Sequence, residues 1–317
     1  MLLLTKLGPA LGLVLVYGLF IAIGPPSFAT FRNVEAIVRQ TTIVGISALG
    51  MTLVIIAGGI DLSIGSIVAL VTVVIASLLT MGVSPILACI GGMAAGTICG
   101  ALNGALITRL KVVPFIVTLG TLLLFRGVAK GLAHEEKVDA PLNWISELLA
   151  VLNPDHQWMI FPAGVWVMIV LSIVVFILLR YTRFGLHLIA VGSNEQTARL
   201  CGIPVERVKV LVYALSGLAA SISGVMQFAR LTVGDPTVAA GLELDVIDAV
   251  VIGGGSLSGG EGSVVGTLVG ALIMTVIRSG CTQIGLPNWV QEIVTGIIIV
   301  VAVMLDGIRH KLSKSET

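Results

Sequence analysis

Ten stretches of this chain are apolar for long enough to cross or enter a lipid bilayer: residues 7–25, 41–60, 62–80, 85–107, 113–133, 159–179, 208–229, 244–257, 262–280 and 289–306. A helix needs about 20 apolar residues to span the hydrocarbon core. In lipid every backbone N–H and C=O must be satisfied within the protein, so only helices and closed barrels span. The fold class that follows is an all-α polytopic membrane protein, a single transmembrane domain over residues 1–317. The segment 244–257 is the weakest span, being short and carrying Asp245 and Asp248. It reads as half of a broken or re-entrant helix. At the N-terminus, Lys6 and the run 7–24 superficially suggest a secretory signal, but the run is too long for one and no small-residue cleavage site follows cleanly. It reads as a retained first span.

Composition agrees. Only 11% of residues are charged and 56% are hydrophobic, too few charges to cover the surface of a water-soluble fold of this size. The 38 glycines let helix backbones approach closely where apolar burial drives little association. Gly92, Gly96, Gly100 and Gly104 recur at four-residue spacing, as do Gly262, Gly266 and Gly270. Each series predicts a small-residue seam inside the bundle, with a dimer seam as the other use. A net charge of +1 offers no basic stripe for nucleic acid. Cys89, Cys99, Cys201 and Cys281 have no metal or disulfide spacing and read as small apolar packing groups.

Two polar stretches set the orientation. Residues 134–158 mix acids, prolines and two tryptophans, whereas 180–207 carries Arg180, Arg183, Arg199 and Arg207, with Lys209 just beyond. Short basic loops stay on the cytoplasmic side. Loop 180–207 is therefore cytoplasmic and 134–158 periplasmic. Alternation then places both termini inside, with Arg309, Lys311 and Lys314 in the C-terminal tail.

Asp61 is the most informative single residue, because a carboxylate between two long apolar runs is costly unless satisfied. Gly58 and Gly59 break the chain beside it, and Asp61 is placed to cap a helix starting at Leu62. Such a break also suits a solute pathway, with freed backbone groups and Ser63 facing water. A similar pattern recurs at 254–263, where a glycine pair again interrupts an apolar run and a new apolar helix starts at Gly262-Ser263. Glu243, Asp245 and Asp248, with Arg230 and Asp235, suggest a polar patch at the outer mouth, or ordinary solvated charge at helix ends. Leu257-Ser258-Gly259-Gly260-Glu261 imitates the signature loop of an ABC ATPase. That chemistry needs a phosphate-cradling GxxxxGK loop ending in Ser or Thr, and the sequence has none. No HExxH, GxSxG or paired Cys/His set appears either, so no catalytic residue is expected.

Taken together these residues resemble a known family. GMTLVIIAGGIDLSIGSIVAL (50–70) is similar to the hallmark segment of permease subunits of ribose-type bacterial ABC importers. Further matches are VPFIVTLGTLLLFRGVAKGL (113–132), RFGLHLIAVGSNEQTARLCGIPVERVKV (183–210), GLELDVIDAVVIGGGSLSGGEGSVVGTLVGALI (241–273) and WVQEIVTGIIIVVAVMLDGIRHK (289–311). The resemblance implies a transport subunit of the bacterial cytoplasmic (inner) membrane that imports a monosaccharide such as ribose. It is no enzyme itself, and it binds no cofactor, because ATP is used by a partner ABC ATPase subunit. Further partners implied are a second permease copy or paralogue and a periplasmic or lipid-anchored sugar-binding protein.

The resemblance also implies that the loop between the sixth and seventh spans carries a coupling helix over 192–202. Its residues are Ser193, Asn194, Glu195, Ala198, Arg199 and Gly202, with Ser193 or Asn194 as its cap. Thr197 and Cys201 depart mildly from the family pattern of alanine and serine. Transport by alternating access is expected, with an outer mouth formed partly by 230–243 and 134–158, and a path lined by Asp61, Ser63, Asn103, Phe115 and Thr118. Two alternatives stand beside this one. An ion-coupled secondary transporter would use the acids near the eighth span, and an ABC permease for branched-chain amino acids belongs to a related branch.

Overall fold

The computed structural model describes residues 2–152, 158–287, 289–294 and 296–297. Its helices are α1 (Leu2–Ile23), α2 (Phe31–Ile56), α3 (Ile64–Thr80), α4 (Pro85–Leu110), α5 (Pro114–Leu132), α6 (Ala163–Tyr181), α7 (Arg183–Ser193), α8 (Glu195–Leu200), α9 (Val205–Leu231), α10 (Leu242–Ile252) and α11 (Val264–Gln283). The boundaries follow local chemistry. Pro85 and Pro114 open α4 and α5, where a missing N–H costs nothing. The Thr30 and Ser263 side chains cap α2 and α11 by accepting from Asn33 N and Gly266 N.

Six helices (α2, α4, α5, α6, α9 and α11) are long and apolar enough to cross a membrane, and α1 and α3 carry shorter apolar runs. The expected segment 244–257 is the 11-residue α10, about 16 Å long at 1.5 Å per residue. That is too short to cross a hydrocarbon core of about 30 Å, as a half-length or broken helix would be. The last expected span, 289–306, lies mostly outside the described residues, as does the basic tail.

Helix α2 is the hub. Its faces pack on α9, α11, α10 and α6, and its second half is almost wholly buried. Helices α4, α5 and α6 instead expose Ile98, Leu123, Leu124, Ile173 and other large apolar side chains, as lipid-facing helices do. The α4 glycine stripe is filled within the chain. A Cβ at Gly92 would meet Ile75 of α3, one at Gly96 would meet Ser221 of α9, and one at Gly100 would overlap the Tyr213 carbonyl. The seam is the close α4–α9 crossing that lipid-embedded bundles build from small residues.

Three expectations need correction. Gly262 precedes α11 and packs on Ile56, so only Gly266 and Gly270 form a helical seam, against Gly253 and Ala249. Cys201 is exposed, unlike the buried Cys89, Cys99 and Cys281, because it closes α8 at the surface. Asp245 and Asp248 are buried, at 8% and 3% exposure, so they are not solvated helix-end charges. The reason is that α10 starts inside the bundle, against α11 and α2.

On the side opposite α7 and α8, β1 (Val138–Asp139) pairs antiparallel with β2 (Val233–Gly234). Lys137 Nζ lies 3.3 Å from Asp235 Oδ2, and Arg126 donates to Pro236 O at 3.0 Å and Val238 O at 2.6 Å. The loop 134–152 and the chain through 232–241 are thereby tied together.

Candidate functional site

The chain interrupts its helices twice, and the two interruptions meet. Helix α2 ends at Ile56, and Gly58 turns the backbone at φ +76°, the left-handed region that glycine tolerates best. Helix α10 ends at Ile252, and Gly254, Gly259 and Gly260 likewise have positive φ before α11. Gly260 N donates to Ile56 O at 2.9 Å. The Leu257–Glu261 imitation of an ATPase signature is this tight turn. Nearby, Thr52 Oγ1 and Thr267 Oγ1 are 2.8 Å apart, a second link between α2 and α11.

Beyond Gly59 the chain forms a buried polar node. Asp61 Oδ1 accepts from Ser63 N at 3.0 Å and Ser63 Oγ at 2.6 Å, and Oδ2 accepts from Ser216 Oγ at 3.2 Å. Asn103 Nδ2 donates to Ser63 Oγ at 2.8 Å. Thr118 Oγ1 donates to Ile60 O at 3.1 Å. Helix α3 begins at Ile64 with Ser63 at its N-cap, and the Ser63 side chain makes no capping bond. Asp61 therefore closes a turn on Ser63 instead of capping a helix at Leu62. This happens because two donors of Ser63 reach its carboxylate before the first helical N–H groups do.

Of the five pathway residues predicted, Asp61, Ser63, Asn103 and Thr118 come together, and all four have 0% exposure. Ser63 does not face water in this conformation. Phe115 is 45% exposed and stands outside the node. Sequence reasoning missed Ser216 and Tyr213 of α9. Tyr213 Oη would sit 2.5 Å from a Cβ at Gly59, and it is a buried hydroxyl with no hydrogen-bond partner among the described residues, like Asn103 Oδ1. A serine and a tyrosine three residues apart in an apolar span share a helix face, which is the signal that was available. The node joins α3, α4, α5 and α9 by polar contacts, each of which is costly to leave open in an apolar interior.

The third element is the segment between α6 and α9, which carries α7 and α8. Asn194 ends α7 and caps α8, its Oδ1 accepting from Thr197 N at 2.9 Å. Of the two capping residues predicted, Asn194 serves, while Ser193 Oγ donates to Ile189 O at 2.8 Å. Glu195 bonds Lys209 Nζ at 2.6 Å and Arg199 at 3.3 Å, and Arg199 also bonds Glu206. The Lys209 hydrogen bond holds the Glu195 carboxyl below the usual range, with Arg199 acting in the same direction. Arg199 does the same for Glu206.

Ser193, Asn194, Glu195, Arg199 and Gly202 are exposed. Ala198 is buried and seats α8 on the bundle. Leu200, at 89% exposure, went unremarked in the sequence, although an apolar residue on so polar a short helix is itself a signal of contact.

The loop also reaches inward. A Cβ on Gly192 would overlap Ile56 O and lie 2.7 Å from Gly260 N. The end of α7 therefore rests on both helix breaks at once, and α8 follows directly from it.

Comparison with known proteins supplies the context. A family model described as "Branched-chain amino acid transport system / permease component" matches residues 33–303. The ribose import permease protein RbsC of Escherichia coli K12 is 39% identical over 282 residues, 89% of this chain and 88% of that protein. RbsC of Bacillus subtilis 168 is 38% identical over 311 residues, 96% of this chain and 93% of that protein. The L-arabinose ABC transporter permease protein AraH of Azospirillum brasilense is 36% identical over 302 residues, 94% of this chain and 88% of that protein. No solved structure matches the chain.

Proposed function

The chain belongs to this family of transport-system permeases and is the multi-pass permease subunit of an ABC importer in the cytoplasmic membrane; on that premise we propose that it moves a monosaccharide such as ribose, powered by ATP hydrolysis on a separate subunit. The sugar class is supported by relatives named for ribose and arabinose across nearly the whole chain, although the family description names branched-chain amino acids. Two permeases, identical or paralogous, form the path. A binding protein delivers sugar at the outer mouth, between 134–158 and 230–243.

The observation that carries the power stroke is Gly192. An ATPase that seizes the exposed face of α8 (Asn194, Glu195, Arg199, Leu200) pulls on α7, whose end is wedged against Ile56 and Gly260. Motion there reaches α2, α3 and α11 together, because Ile56 opens the first break and Gly260 lies within the second. Gly58, Gly59 and Gly254–Gly260 absorb it as the hinges, and packed elements move between discrete arrangements. The Asp61 node stabilises α3 against α4, α5 and α9 on the far side of the hinge. Its residues reach solute only when the break opens. The chain itself breaks no bond and holds no cofactor in this scheme.

Reconstitution in liposomes tests it. Labelled ribose should enter only when the ATPase, ATP and the binding protein are all present. Uptake by this chain alone on a proton or sodium gradient would refute the scheme, and uptake of leucine in place of any monosaccharide would reassign the substrate. Glu195→Arg should abolish pull-down of the ATPase.

A further inference from the structure

A cavity of about 580 Å³ lies between α2, α9, α10 and α11, on the side away from α7 and α8 and remote from the Asp61 node. It is within the range of small-molecule sites, about 300–1,000 Å³. Its wall carries Gln227, a residue only 6% exposed, whose amide has no hydrogen-bond partner among the described residues. Its amide faces the cavity instead, offering a ligand one group that donates and one that accepts.

The surroundings narrow the choice. Arg230 lies on the Gln227 face of α9, three residues on, and forms no ion pair among the described residues. Asp245 Oδ1 accepts from Arg278 at 2.7 Å, which leaves Oδ2 to accept from a ligand. Thr275 spends its hydroxyl proton on Ala271 O at 2.9 Å and keeps lone pairs for the cavity. Met274 adds an apolar surface. The Asp245–Arg278 pair is neutral and Arg230 adds one positive charge, which repels a simple cation, while the free Oδ2 of Asp245 asks for a donor that a simple anion lacks. Adjacent hydroxyls on a carbon ring satisfy both, since each hydroxyl donates once and accepts twice.

We infer that this cavity is a sugar-holding site within a single permease copy, a resting place between the outer mouth and the central path, with Gln227 and the Asp245–Arg278 pair as its polar anchors. The inference rests on the monosaccharide reading above.

The test uses the full chain in lipid nanodiscs, with Cys201→Ser to remove the exposed thiol and Ser279→Cys to place one on the cavity wall. A membrane-impermeant maleimide should label the new thiol, and millimolar D-ribose should slow labelling several-fold. Adding Gln227→Leu should leave ribose-free labelling unchanged and remove the protection, which separates a lost ligand contact from misfolding. Equal labelling with and without ribose would overturn the inference, as would protection by leucine or inorganic phosphate but not ribose. Ribose uptake by the reconstituted importer, measured in parallel, keeps the two readings apart. Uptake without protection sinks this site alone, and absence of any monosaccharide uptake sinks the proposed function.

Discussion

Gly192→Ala is the most demanding perturbation of the proposed transmission route, because the added methyl meets backbone rather than a flexible side chain. The new Cβ overlaps the Ile56 carbonyl and stands 2.7 Å from Gly260 N, so it also opposes the Gly260 N to Ile56 O bond of 2.9 Å. Overpacking of this kind costs about 1–3 kcal/mol, and loss of the hydrogen bond adds about 0.5–1.5 kcal/mol. Against these, replacing a helical glycine by alanine returns about 0.5–1 kcal/mol. The net is about 2 kcal/mol against the docked arrangement, close to a thirtyfold shift in that equilibrium. ATP-driven ribose uptake in liposomes should fall by about tenfold or more, while α8 still captures the ATPase in a pull-down. Gly131→Ala, in α5 with no atom within 4 Å of the added Cβ, is the matched control and should transport normally. Wild-type uptake and an unchanged thermal midpoint for Gly192→Ala would refute the wedge between the loop and the breaks.

Other outcomes follow from the same contacts. Asp61→Ala leaves the Ser63 and Ser216 donors without an acceptor and should cost about 3 kcal/mol, read as a lower thermal midpoint in detergent; Asp61→Asn, which retains one acceptor oxygen, should cost less. Gly100→Leu forces α4 from α9 at the Tyr213 carbonyl and should prevent recovery of folded protein, as followed by size-exclusion profile. Asn194→Ala removes the α8 cap, costing about 1 kcal/mol, and should weaken ATPase pull-down without abolishing it. Because the folded Glu195 and Glu206 carboxyls titrate below their unfolded values, the stability they lend the loop is complete above the ordinary glutamate pKa, about 4.3. It is lost as pH falls through the lower folded values, so ATPase capture should be flat through neutrality and fail only on strong acidification.

Much of this protein is legible without its structure. Apolar runs of spanning length dictate helices, because lipid offers no other partner for the backbone. The break at Gly58-Gly59 and the half-length α10 are visible as interruptions of those runs. So is the small helix after Asn194, whose cap is local chemistry between neighbours. Asp61 stands out for the same reason, since a carboxylate in an apolar run demands an explanation within the run.

What only the tertiary structure decided are the meetings of distant segments. Ser216 completes the Asp61 node, and Tyr213 packs against Gly59, from a helix about 150 residues away, and Gly192 touches both breaks at once. The buried Asp245 pairs with Arg278 inside a cavity that leaves the Gln227 amide unpaired. A glycine in the sequence reads only as permission for close approach. Which backbone takes up that permission is set by how the helices cross, and that depends on the packing of every residue along both faces.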